Sequence, residues 1–163
     1  MNPDELHLHY SFGDTLPPTG ATMEVAPGVR WLRMGLPFAL NHINLWLLED
    51  EVDTPQGRQR GWTVVDCGIA TDDTRAAWER IFTEELDGLP ILRVLVTHCH
   101  PDHVGLADWL CQRWQAPLWM STGDYAFARV MSAALPGAEG TAATPHFQRH
   151  GLVDPETVTT LQG

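Results

Sequence analysis

The stretch that most constrains this chain is Ile91–Gly105, "ILRVLVTHCHPDHVG", where an almost unbroken apolar run passes directly into three histidines and an aspartate. A mostly continuous apolar run over six residues is the pattern of a strand covered on both faces, which points to helices packed over a sheet. The loop that follows is thrown out at the sheet's edge, where side chains from several segments converge. His98 and His100 are two apart and point the same way from extended backbone, which suits one metal ion. Asp102 and His103 follow where the chain bends towards a helix, and suit a second ion beside the first. Neutral imidazole and carboxylate are donors for zinc or iron. Pro101 stiffens the turn and Gly105 permits close packing where the helix begins. Four donor-type residues in this order after an apolar strand outweigh the plain alternative, a set of surface histidines. Cys99 lies between two candidate donors, but the alternation that brings those together aims it away, so a buried and inert thiol is expected.

The rest of the chain reads as a strand meander followed by alternating helices and strands. Residues 1–27, rich in Pro, Gly, Thr and acid and without sustained period, are expected to form an irregular arm. Residues 28–163 then form one domain. "VRWLRM" and "HINLWLLE" are two strands separated by the turn-prone "GLPFALN". The polar run "DEVDTPQGRQRG" is expected to be a loop leading to a third strand, "WTVVDCG", that stops at Gly68. In "TDDTRAAWERIFTEEL" the spacing predicts a helix capped by Thr71, with Trp78, Ile81, Phe82 and Leu86 on one face. After the central strand come a helix over "GLADWLCQRWQ", a strand over "APLWMS" and a helix over "GDYAFARVMSAAL". The order βββαβαβα predicts an α/β (α+β) fold, a mixed sheet with packed helices.

"THCHPDHVG" resembles the HxHxDH signature of the metallo-β-lactamase superfamily, complete over its fixed positions, and "TVVDCG" resembles that family's earlier motif, a strand ending in Asp and Gly. The strands and helices from about Val29 to Leu135 are similar to the N-terminal half of its αββα sandwich. The resemblance implies a hydrolase with one or two zinc ions, or iron, in which a metal-bound hydroxide attacks an ester-like carbonyl, a thioester or a lactone. His98 and His100 would serve the first ion, Asp102 and His103 the second, with Asp102 also orienting or deprotonating the water. Asp66 would support a ligand histidine from behind. The family pattern adds further ligands downstream, a His, a bridging Asp and a final His, that have no clear counterpart here. The resemblance therefore implies that the site is incomplete in this chain. The motif's wording leans towards the hydroxyacylglutathione-hydrolase-like branch.

His146 and His150 are the internal candidates for missing ligands, four apart on what reads as a short helix, "TPHFQRHG", with Thr144 as cap, Pro145 in the first turn and Gly151 at the stop. Solvated histidines are the plainer reading. His7 and His9 in the arm read as exposed, and His42, flanked by Asn41 and Asn44, as a turn residue. Trp109 and Trp114 read as helix packing.

Ten Arg and no Lys stand against 21 acids, a net charge of −11. That balance disfavours nucleic acid and anionic membranes as partners and leaves a small-molecule substrate. Three cysteines at irregular spacing, no export signal and no long apolar run predict a reducing cytoplasm. Two rivals come from other classes: a mononuclear iron oxidoreductase like the persulfide dioxygenases, which share the motif, and a non-catalytic metal-binding or assembly half-domain. Half a sandwich would leave an apolar sheet face open, so self-association, or cover by a missing C-terminal half, is expected.

Overall fold

Alternation of buried with half-buried or exposed residues builds the first part of the sheet. In Val29–Gly35 (β2) and His42–Thr54 (β3), Leu32, Met34, Ile43, Leu45 and Leu47 fall on one face and are buried. The computed structural model describes residue 4 and residues 7–133 and 140–162. Its single six-stranded sheet runs in chain order from Thr22–Ala26 (β1) through β2, β3 and Gly57–Val65 (β4) to Ile91–Leu95 (β5) and Leu118–Trp119 (β6). The first four strands pair antiparallel, and β4–β5 and β5–β6 pair parallel. A mixed sheet was the expectation, with fewer strands.

Two expectations are corrected. Thr22–Ala26, within the stretch expected to be irregular, forms an edge strand on β2, with Glu24 opposite Arg30 and a turn through Gly28 at φ 73°. The run 50–61, expected to be a loop, continues β3 and β4 as a hairpin, with Glu51 opposite Arg60 and Asp53 opposite Arg58. Its ion pairs, Arg58 with Glu51 at 3.4 Å and with Asp53 at 3.3 Å, are exposed and individually weak. Backbone ladder bonds hold this hairpin, and they leave no apolar alternation to read because both its faces meet water.

Asp72–Glu84 (α1) forms as its spacing predicts. Thr71 caps it, accepting a hydrogen bond from the Thr74 N–H, and Asp72 and Asp73 lie in the positive first turn. Ala77, Trp78 and Ile81 are buried against the sheet, together with Leu106 and with Leu110 of Ala107–Trp114 (α3). Phe82 joins the two helices, its ring 5.8 Å from that of Trp109 and 5.2 Å from that of Trp114. The packing role expected for these tryptophans is met. Thr122–Ser132 (α4) buries no residue; the rest of its expected span, to Leu135, lies outside the described residues. Near the C-terminus, Gly140–Arg149 (α5) begins before the expected cap, so Pro145 sits inside the helix and Thr144 is buried rather than capping. Pro155–Gln162 (α6) packs on α5.

The opposite face of the sheet carries one apolar row in register across five strands. Trp31 stands opposite Trp46, Trp46 opposite Val65, Val65 opposite Leu95 and Leu95 opposite Trp119. Trp31 and Trp46 stack at 6.3 Å, and the Arg93 guanidinium lies 4.7 Å from the Trp119 ring. Among the described residues this row is only half-buried, and Trp119 is 51% exposed.

Candidate metal centre

The site is made where two loops leave neighbouring parallel strands at the same edge. The chain leaves β4 at Asp66 and β5 at Val96, and the loops are tied by backbone bonds: Asp66 N–H to the Leu95 carbonyl at 2.8 Å, Cys67 N–H to the His103 carbonyl at 2.8 Å, and Leu106 N–H to the Gly68 carbonyl at 3.2 Å. Close approach depends on Gly105. A Cβ there would press on the Pro101 carbonyl oxygen and lie 2.8 Å from both Ala70 N and Gly68 O, all backbone atoms with no freedom to yield. Gly105→Ala is therefore expected to cost about 1–3 kcal/mol by overpacking, measured by urea unfolding. An unchanged midpoint would show that the two loops do not need this contact.

Asp66 organises what stands above it. Its φ of 63° is left-handed, a conformation that Asp tolerates better than most side chains, and it turns the carboxylate under the second loop. The carboxylate is buried, and its partners are donors from that loop. Oδ1 accepts the Thr97 N–H at 2.8 Å, Oδ2 faces His103 Nδ1 at 2.8 Å, and the Thr97 hydroxyl lies 3.0 and 2.8 Å from the two oxygens. A neutral His103 must donate Nδ1–H to a carboxylate, which leaves the Nε2 lone pair free. That nitrogen faces Asp102 Oδ2 at 3.5 Å, on the short helical turn Pro101–Val104 (α2).

His98 and His100 converge as their spacing predicts, with His98 Nε2 3.0 Å from His100 Nδ1. The His98 and His103 rings lie 3.8 Å apart between centroids, so the two donor pairs stand side by side. Two ligands each at about 2.0–2.1 Å from a tetrahedral ion lie about 3.3 Å apart. The separations of 3.0 Å and 3.5 Å bracket that value, so each pair fits two corners of a zinc or iron coordination shell. Among the described residues no three or more His, Cys, Asp or Glu side chains gather as a potential ion site. The chain thus offers donors in twos.

Other candidates do not join them. His146 on α5 and His150 just past its end meet each other, rings 4.6 Å apart and exposed, without completing a group with the loop donors among the described residues. His7 and His9 are exposed, and His42, expected in a turn, instead opens β3 opposite Gly35, its Nδ1 2.9 Å from Asn41 Oδ1. A cleft of about 520 Å³ beside the first turn of α1, lined by Met34, Leu36, Pro37, Thr74 and Arg80 among others, contains none of the donors.

Two residues of this site were not singled out from sequence. Thr97 precedes the motif and bonds to Asp66, His98 and, at 3.5 Å, His103. Asp124, third residue of α4, accepts the Cys99 N–H at 3.2 Å and the Ser121 hydroxyl; the Ser121 bond above all, and then the bond from Cys99, hold its carboxyl below the usual range. The spacing of Ser121 and Asp124 is a readable helix-start signal, but the bond to Cys99 is not. Cys99 is half-buried rather than buried. Desolvation and the Asp124 carboxylate push its thiol up. Burial pushes the Cys67 thiol well up.

Residues 41–134 match the model of the metallo-beta-lactamase superfamily. Among solved structures, a beta-lactamase domain protein from Burkholderia ambifaria is 57% identical with a TM-score of 0.82, over 96% of this chain and 43% of its own. A metallo-beta-lactamase family protein from Thermus thermophilus is 26% identical with a TM-score of 0.62, over 83% of this chain and 42% of its own. A metallo-beta-lactamase from Pontibacter korlensis, 18% identical with a TM-score of 0.51 over 68% of this chain and 47% of its own, shares the fold. No curated protein matches. The chain spans less than half the length of these solved relatives. With a family match over more than half its residues and a solved relative 57% identical, the chain belongs to the metallo-beta-lactamase superfamily.

Proposed function

We propose that this chain carries the N-terminal part of the metal site of a hydrolase that cleaves an ester-like carbonyl, a thioester or a lactone. The observation that carries the reading is the pair of donor pairs at one sheet edge, braced by a buried carboxylate. His98 and His100 would hold one zinc or iron ion, and Asp102 and His103 a second. An ion in such a site lowers the pKa of a coordinated water to about 7 and polarises a carbonyl oxygen. Asp66 keeps His103 in the tautomer that leaves Nε2 open, and holds the start of the loop through the Thr97 N–H. Asp102, the acceptor-only group among the four donors, would orient the attacking water and take its proton. The net charge of −11 supports an uncharged or weakly charged substrate over a phosphodiester.

The test is elemental analysis of the whole protein, purified without chelator, followed by thiol release from thioesters and ring opening of lactones. Zinc or iron with turnover of either class is the expected outcome. A metal-loaded protein that turns over neither would sink the reading, and bound iron with oxygen consumption would replace it with an oxidoreductase.

The Trp31–Trp46–Val65–Leu95–Trp119 row supports self-association of the isolated chain, because an apolar row in register across five strands favours being covered. The 163-residue chain is expected to sediment as more than a monomer, and Trp46→Glu to shift it towards one. A monodisperse parent monomer that unfolds cooperatively would refute this.

A further inference from the structure

We infer that Thr97 is a positioning residue that extends the reach of Asp66 to the other donor pair, setting the tautomer of His98 as Asp66 itself sets that of His103. The inference rests on the metal-site reading above, and it follows from proton counting. The Thr97 hydroxyl has one proton and four neighbours: Asp66 Oδ1 at 3.0 Å, Asp66 Oδ2 at 2.8 Å, His98 Nδ1 at 3.0 Å and, more distant, His103 Nδ1 at 3.5 Å, whose own hydrogen goes to Asp66. A buried carboxylate is the stronger acceptor, and a hydrogen bond to it is about twice as strong as a neutral one. The proton therefore goes to Asp66. The hydroxyl oxygen, its proton committed, can only accept from His98, so His98 Nδ1 carries the hydrogen and Nε2 is left with its lone pair. That nitrogen is the one that meets His100 Nδ1 at 3.0 Å.

One buried carboxylate thus sets both rings, His103 directly and His98 through one hydroxyl. The backbone contributes as well, since the Thr97 N–H is itself held by Asp66 Oδ1 at 2.8 Å. Free imidazole side chains favour the opposite tautomer, with hydrogen on Nε2, which would block the donor atom of His98. Serine at 97 would preserve the relay, because only the hydroxyl is used. Valine would keep the shape and remove it.

The experiment reads tautomers directly, by long-range proton–nitrogen correlation on chain labelled with nitrogen-15 in histidine, metal-free and at a pH about two units above the ordinary histidine value of about 6.5, where imidazole is neutral. Expected in the parent and in Thr97→Ser is His98 mainly hydrogenated at Nδ1; in Thr97→Val it moves to Nε2. Zinc affinity, from competition with a chelating dye, is expected to fall about 10–100-fold in Thr97→Val and to stay near the parent's in Thr97→Ser. A parent His98 hydrogenated at Nε2 overturns the inference, even if Thr97→Val fails to fold. So does a folded Thr97→Val with unchanged tautomer. The tautomer is read without metal, so the expected tautomers together with a whole protein that binds neither zinc nor iron would sink the metal-site reading and leave the relay standing.

Discussion

Asp66→Ala is expected to lower the thermal midpoint by roughly 6–12 °C, the equivalent of about 3 kcal/mol in a chain of this size. The carboxylate is buried and accepts from the Thr97 N–H, the Thr97 hydroxyl and His103 Nδ1, so its removal strands several donors at once. Alanine at φ 63° adds backbone strain, since left-handed backbone is costly for a side chain with no polar group to bond locally. Metal affinity should fall in the same variant by about 10–100-fold, because the groups that orient ligand histidines matter nearly as much as the ligands. Asp66→Asn separates the two effects. Asparagine tolerates the backbone but offers one acceptor oxygen, so it should recover part of the stability and little of the affinity. Melting within about a degree of the parent, by circular dichroism, would show that the carboxylate does not brace the loops.

His100→Ala gives the second large effect, on metal alone. His100 is exposed, and its side-chain contacts are with His98, so the fold should be untouched. The ion it shares with His98 would retain a single imidazole from this chain. Bound metal should therefore fall by more than the roughly 10–100-fold that loss of a supporting group costs, with an unchanged melting curve of the metal-free chain. Elemental analysis of parent and variant, purified side by side, reads the difference. Equal metal in both would remove His100 from the site.

Much of this was legible in the sequence because it is local. The helix over residues 72–84 could be read from its cap and its 3.6-residue period, and β2 and the first half of β3 from alternation against a core. His98 and His100 do meet, as a spacing of two suggests, although the chain at 97–99 is bent rather than extended. The hairpin at 50–61 and the strand Thr22–Ala26 were not legible. Backbone bonds make them, and where both faces are wet the side chains carry no period.

By itself the sequence determined which residues offer lone pairs, which of them lie close along the chain, and the family whose signature they spell. Only the tertiary structure decided what holds them. Asp66 is 31 residues from Thr97 and 37 from His103, and Asp124 is 25 from Cys99. At such separations no spacing rule links two side chains. Parallel pairing of β4 with β5 brings Asp66 under the loop, and the packing of Gly105 against Gly68 and Ala70 lets the two loops close.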